Sequence, residues 1–465
     1  MSTSTPRGSA PFASGAQAPR TSPEALKERR QRLGAQLGRT AAILPAGSPP
    51  PRNYTANVYP FRAASHFLYL AGEAIENAWL SYGGNDPADW TLYVPAPDAD
   101  DALWHGERPS RESLEAQAGC RIAYGTPGDA RGAATVPAPG HHTQLEQARL
   151  VGDGAVNDAL IAALIDLRSV HDAAAIDQLR AAANATIAAH VAGMAATTPG
   201  TPEYAICAAM EHALHMRGMG TAYSPIVTVH GEVLHNHHHG GVCADGDLLL
   251  ADVGAETPEG WAGDVTRTWP VSGRFSPTQR DVYELVLQSQ LDAIAEVRPG
   301  ARYRDVHLRA CRTLTAGLVE LGILRGDPDS LVERGVHALF FPHGVGHLIG
   351  LDVHDMEDLG DRAGYDAGFE RSEQFGLSFL RLDRTLKPRM AVTIEPGFYQ
   401  VPAILHDKER CAFAEDAINR DRLEAFADVR GIRIEDDVLV TEGAPEVLTD
   451  QAPKTVQGIE AAVGG

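Results

Sequence analysis

The stretch "GDLLLADVGAETPEGWAGDVTRTWP" at residues 246–270 constrains this chain more than any other. It reads as two strands joined by a turn that holds Thr257, Pro258, Glu259 and Gly260. Asp252 ends an apolar run where a buried strand would carry another Val or Leu. Asp264 lies on the returning strand beside the small residues Ala262 and Gly263. Aspartate is rarely buried without a partner, and two buried carboxylates repel unless a proton or a metal ion lies between them. Either one or both aspartates face solvent, or this hairpin is built around a cation.

Further segments bear on that choice. "FFPHGVGHLIGLDVHDMED" places His343, His347 and His354 close together in sequence. His343 and His347 have the i, i+4 spacing of a helical zinc pair. However, Gly344 and Gly346 disfavour a helix, and the glutamate of an HExxH motif is missing. A Gly-rich loop or strand that gathers imidazoles fits better, although a lone histidine here would more often be structural. "MAVTIEPGFY" puts Glu395 at the end of an apolar strand, and "RGIRIEDDVLVT" puts Arg433 and Glu435 on one face of an alternating strand. Each glutamate alone reads equally well as a salt-bridged or solvent-facing carboxylate. As a set, four carboxylates with one or more histidines on strand ends favour hard or borderline ions such as Mn2+, Mg2+, Co2+ or Fe2+ over a structural zinc. Four carboxylates would over-neutralise one divalent ion, so two ions fit better. A pair about 3.5–4 Å apart can share a hydroxide nucleophile, which is hydrolytic chemistry. The tract "HNHHHGG" at residues 235–241 carries four histidines in seven residues, a compositional cue for metal that competes with this set.

At 465 residues the chain exceeds one ordinary core, and two domains are expected. A flexible tail rich in Ser, Ala, Pro and Gly spans 1–22, an α/β domain 23–167, and a second domain 168–465. A first helix is expected at Pro23–Leu37, capped by Ser22. "TAAILPAG", "HFLYLAGE", "AWLSYGG" and "DWTLYVPAP" read as strands. "HDAAAIDQLRAAANATIAAHVAGMAA" and "GTPEYAICAAMEHALHMRG" read as helices, the latter with Pro202 in its first turn and Gly218 at its end. Beyond Tyr223, strands and turns dominate, interrupted by a helix around Thr278–Val297. The balance of 40 basic against 61 acidic residues, a net charge of −21, argues against nucleic acid or an anionic membrane as partner. No stretch approaches the ~18 apolar residues of a membrane span. The five scattered cysteines form no CxxC pair and no apolar leader precedes them, so they read as reduced thiols of a cytoplasmic protein.

The order Asp252, Asp264, His347, Glu395, Glu435 resembles the ligand set of the dinuclear "pita-bread" metallopeptidases, in the aminopeptidase P and prolidase branch. "DVGAE…AGDVTRTWP", "HGVGHLIGLDVHD", "TIEPGFY" and "GIRIEDDVLVT" look like its signatures, and "YPFRAASHFLYLAGE" and "LWHGERPS" look like its N-terminal domain. The resemblance implies an α/β N-terminal domain plus an α+β pita-bread catalytic domain. It also implies two divalent ions, Mn2+ first, with Co2+ or Zn2+ as alternatives. Asp252 would chelate one ion, Asp264 and Glu435 would bridge both, and His347 and Glu395 would complete the second. Glu395 would also shuttle the proton, and His354 would stabilise the tetrahedral intermediate. His343 and His235 would line the substrate pocket, and Arg433 would contact substrate. His237, His238 and His239 would be an exposed loop or part of the pocket rim. The hairpin is one residue longer than the family pattern through "TPEG", either in the turn or as a bulge that alters how Asp264 is presented.

The branch implies peptides with proline after the scissile bond and a homodimer or homotetramer. "GLSFLRLDRTLKPRM" and the insertion "PAILHDKERCAFAEDAINRDRLEAF" are similar to prolidase, and Arg381 would then grip the free carboxylate of a dipeptide. Arg381 also reads as an ordinary surface residue. A clamp of this kind ties cleavage to the substrate's C-terminus, so trimming from that end is a further reading. A catalytically degenerate peptide-binding protein and a metal-free amidinohydrolase of the same fold are the competing readings; the full ligand set argues against both.

Overall fold

The structure, a computed structural model, describes residues 18–98, 102–104, 106–128, 132–136 and 154–464. Of the expected tail, residues 1–17 lie outside the described residues, as does residue 105 within "LWHGERPS". The end of that tail is anchored rather than free. Thr21 donates to the Glu259 carboxylate from its backbone N–H at 2.8 Å and from its hydroxyl at 2.5 Å. Ser22 then accepts from the Ala25 N–H and caps α1 (Pro23–Leu37), with proline in the first turn where its missing N–H costs nothing.

The first lobe is a four-stranded sheet in the order β1 (Ala42–Pro45), β2 (Trp79–Tyr82), β3 (Trp90–Val94), β4 (Arg121–Tyr124). Its last pair is parallel and the others antiparallel. "HFLYLAGE" is not the expected strand but a helix, α2 (Ser65–Ala71). His66 to Ala71 are all buried, so the run is apolar on every side and has no period that separates helix from strand. Gly72, at φ +73°, ends it in a conformation that a side chain would strain. Helices α3 (Arg111–Ala118) and α4 (Gly154–Arg168) complete this lobe.

The second lobe opens with α5 (Ala173–Ala196), capped by Asp172, packed on α6 (Glu203–His215). Pro202 sits one residue ahead of α6, in extended conformation, rather than inside its first turn. Three antiparallel strands follow, β5 (Ile226–Thr228), β6 (Leu248–Asp252) and β7 (Thr266–Pro270), with β6 in the middle and Asp252 opposite Thr266. Asp264 therefore precedes β7 and does not lie on it. Helix α7 (Pro277–Ala295) carries a Ser276/Gln279 capping box. The stretch expected to hold one helix holds another long one, α8 (Tyr303–Glu320), packed on α7. Its buried residues Tyr303, Val306, Ala310, Leu314 and Leu318 recur at the three- and four-residue spacing of an amphipathic helix.

Four short strands frame the site, β8 (Ala391–Ile394), β9 (Gly397–Tyr399), β10 (Gly431–Arg433) and β11 (Asp436–Leu439), and a short strand Glu446–Val447 on β11 and a helix Val456–Ala462 follow. β8 pairs with β11 and β9 with β10. Both arms break at one level, since Ile394 faces Asp436 and Gly397 faces Arg433. Glu395 and Glu435 lie in this double break, so the single alternating strand expected through Arg433 and Glu435 is two strands.

Ion pairs made by the buried arginines Arg29 and Arg168 join the lobes. Arg29 holds Asp172 with two bonds of 2.6 and 2.9 Å, and Arg168 reaches Asp355 at 2.6 Å and Asp352 at 3.1 Å. Among the described residues no helix is long and apolar enough to cross a membrane.

Candidate metal centre and substrate pocket

Asp252, Asp264, His347, Glu395 and Glu435 converge on a cavity of about 930 Å³, together with His235, His343, His354, Arg381 and Arg433. The expected metal ligands and substrate-contacting residues thus line one space, although they come from six separate parts of the chain.

Local structure explains how each is presented. The Gly-rich loop runs beside β8: Glu395 N–H donates to Val345 O at 2.8 Å, and Thr393 N–H to His347 O at 3.0 Å. That approach needs glycine at 346, because a Cβ there would lie 2.2 Å from Thr393 O. Asp264 N–H donates to Asp437 Oδ2 at 3.1 Å, and Arg267 donates to Glu435 O at 2.6 Å. The buried pair Arg267–Asp436 and Lys454 on the other oxygen of Asp436 pin β11 beneath the site.

Donor and acceptor roles at the site follow from the heavy-atom distances. His347 Nδ1 lies 3.0 Å from Leu348 O, so the ring proton sits there and Nε2 presents a lone pair. Nε2 faces Asp264 Oδ2 at 3.5 Å and Glu395 Oε1 at 3.8 Å. The Tyr223 hydroxyl lies 2.7 Å from Asp252 Oδ1 and 2.5 Å from Asp264 Oδ1, yet it has one proton to donate. Burial pushes the Asp264 carboxyl up to about 8, with Asp252 next to it adding repulsion. Burial likewise lifts Glu395 to about 7 and holds Glu435 well above the usual carboxylate range, with Asp264 beside it. Ligand atoms of Asp264, His347 and Glu435 lie within 4.8 Å of one another. A buried set of carboxyl groups that repel one another when ionised, beside an available imidazole nitrogen, fits divalent cations.

The sequence profile of Metallopeptidase family M24 matches residues 177–442, more than half of the chain. The chain belongs to metallopeptidase family M24. The profile of the aminopeptidase P N-terminal domain matches residues 26–127, which places this M24 member in the aminopeptidase P and prolidase branch. A Xaa-Pro aminopeptidase of Haemophilus influenzae is 32% identical over 453 residues, covering 94% of this chain and 96% of that protein. A Xaa-Pro dipeptidase of Rattus norvegicus is 31% identical over 471 residues, covering 95% and 92%. The structure of zinc-substituted Escherichia coli aminopeptidase P in complex with product aligns with TM-score 0.78 and 29% identity, covering 96% of this chain and 98% of that one. The M24 chain is therefore a metallopeptidase with an α/β N-terminal domain and a pita-bread catalytic domain.

Not all residues expected to touch substrate are equally free in this M24 member. Arg433 is 4% exposed and its guanidinium is consumed by Asp252 at 2.6 Å, Thr266 at 2.9 Å and Tyr399 at 3.1 Å. His343 uses Nδ1 on Gly344 O and accepts from Tyr399 on Nε2, both at 2.8 Å; burial holds this imidazole neutral, down to about 3. Arg381 is half-exposed on the cavity wall and donates to both oxygens of Glu357, at 2.9 and 2.7 Å. Glu357 also lies 3.4 Å from His354 Nδ1. Burial works against this carboxylate, but bonds from His354 and Arg381 hold it down to about 2. His235 is the member of the histidine tract that lines the cavity. His237 and His238 are exposed, and His239 Nε2 is bonded to Pro225 O at 3.0 Å. Pro258 and Glu259 form the turn of this hairpin, where Glu259 ties down Thr21.

Sequence reasoning did not find Tyr223, Thr266, Tyr399, Glu357 or Asp437. Each is a common residue in an unremarkable local pattern, and its role exists only through partners distant in sequence.

Proposed function

We propose that the chain is a dinuclear-metal exopeptidase that cleaves Xaa-Pro bonds and favours substrates with a free carboxylate near that bond. The observation that carries the reading is the meeting of four carboxylates and His347 in one cavity whose wall also bears Arg381. The names of the relatives, Xaa-Pro aminopeptidase and Xaa-Pro dipeptidase, support the substrate class. Asp252, Asp264, His347, Glu395 and Glu435 would hold two divalent ions, and their oxygen-rich set favours Mn2+. When bound, such ions supply the Lewis acidity that activates water and polarises a carbonyl.

The remaining work falls to the chain's own groups. Glu395, at the break between β8 and β9, takes a proton from the attacking water and returns it to the leaving nitrogen. Proline leaves as a secondary amine, so that proton is required. His354, steadied by Glu357, stabilises the tetrahedral intermediate. Arg433 acts on substrate chiefly by fixing Asp252, Thr266 and Tyr399, and Tyr399 in turn sets the His343 ring against the cavity. His235 lines the same cavity. Arg381 offers the guanidinium a terminal carboxylate would need, after sharing or displacing Glu357. All five cysteines are free, in keeping with a reducing, cytoplasmic setting.

A panel of Ala-Pro, Ala-Pro-Ala and C-terminally amidated Ala-Pro, assayed after loading with Mn2+, tests the reading. Hydrolysis after the first residue is expected, faster with the free carboxylate. A metal-loaded protein that cleaves none of the three would end the proposal.

A further inference from the structure

A second cluster of metal-binding side chains lies away from the carboxylates. His307 and Cys311 stand one turn apart on the buried face of α8, and His337 faces them from the short 3-10 turn Val336–Leu339. All three are fully buried, and one ligand atom from each falls within 4.8 Å of the others. Cys311 Sγ lies 3.3 Å from His307 Nε2. Donors at metal–sulfur and metal–nitrogen distances of about 2.3 and 2.0 Å around one ion lie roughly 3.5 Å apart, so this spacing is close to that of two ligands sharing a cation.

An independent observation comes from His337, where neither ring nitrogen has a hydrogen-bond partner although the side chain is wholly enclosed. Buried polar atoms in native proteins are nearly always paired, and an imidazole without partners on either nitrogen calls for an explanation. Packing alone gives none. The neighbouring His307 offers an edge-on ring contact at 6.2 Å and no bond.

We propose that His307, Cys311 and His337 form a second metal site, separate from the carboxylate centre, that takes a soft monovalent cation, Cu+, through one thiolate and two imidazole nitrogens. The donor set is soft, whereas the catalytic set is hard, so one chain sorts two kinds of metal. Charge selects the monovalent ion. One thiolate cancels one positive charge, and apart from His343 the charged group that acts on His307 from outside the cluster is the cationic Arg304. A divalent ion would leave an uncompensated positive charge in an enclosed apolar site. Bound there, the ion would staple α8 to the segment that leads into the His343–His347 loop.

The test uses the full chain with its carboxylate centre loaded with Mn2+, titrated anaerobically with Cu+ against a chromogenic Cu+ chelator. The wild type should withdraw one equivalent of Cu+ and retain its Mn2+, and X-ray absorption at the copper edge should show one sulfur and two nitrogen donors. Cys311→Ala and His337→Asn should each weaken uptake at least a hundredfold. Absence of uptake, uptake unchanged in folded Cys311→Ala protein, or preference for Zn2+ at this site would overturn the assignment. Should both variants fail to fold, a wild-type copper spectrum without a sulfur donor would overturn it alone.

Discussion

Arg433 Nη2 lies 2.6 Å from Asp252 Oδ2, so the cation and the carboxylate that closes β6 are held as one unit. The same guanidinium reaches Thr266 and Tyr399, which a lysine ammonium on a flexible stem cannot do at once. Arg433→Lys should keep the charge yet lower kcat/KM on Ala-Pro about 10–100-fold, the usual effect of losing a partner that orients a metal ligand. Activity within twofold of wild type would show that the fork geometry is not needed.

The Tyr223 hydroxyl sits between Asp252 and Asp264 and relieves part of their repulsion. Tyr223→Phe should preserve the fold and weaken metal affinity about 10–100-fold, read by competitive metal titration. Unchanged affinity would assign this hydroxyl to packing only.

Raised carboxyl groups make metal uptake pH-dependent. In the metal-free protein Asp264 titrates near 8 and Glu395 near 7, so both carry proton at pH 6.5 and neither does at pH 9. Metal binding should therefore release more protons at pH 6.5 than at pH 9. Calorimetry in buffers of differing ionisation enthalpy measures this, and equal release at both values would contradict it.

Arg381→Ala should raise KM for Ala-Pro about tenfold or more, the loss expected for a charge-assisted bond, and leave amidated Ala-Pro unaffected. Equal losses on both substrates would assign Arg381 to holding Glu357 and His354 rather than substrate.

His171 joins the lobes beneath the Gly-rich loop, with Nε2 at 3.2 Å from Ile349 O, and burial depresses its imidazole to about 4. Its folded pKa lies below the unfolded value near 6.5, so the unfolded chain binds more protons between them. Stability from a neutral His171 is complete above pH 6.5 and is lost as pH falls toward 4, at up to about 1.4 kcal/mol per pH unit. Urea melts of wild type and His171→Asn should converge as pH drops from 7 to 4.5; a constant gap would refute this.

Asp252 and Glu395 stood out in the sequence because a charged residue ending an apolar strand is costly unless something neutralises it, whereas the set Asp252, Asp264, His347, Glu395 and Glu435 was read from its resemblance to the family's motif order. The long helices α1, α5 and α7 were legible from caps and periodicity, which act within a few residues. "HFLYLAGE" was not, because a short run buried on all sides carries no period, and its choice of helix is made by what surrounds it. Likewise "HNHHHGG" looks like the metal site by composition, yet His235 alone lines the cavity. The sequence determined which side chains could hold metal, since local pattern records the cost of burying them. Only the tertiary structure decided which of those charges meet, because the breaks in β8–β9 and β10–β11, the Tyr223 bridge and the reach of Arg433 depend on contacts between segments far apart in the chain.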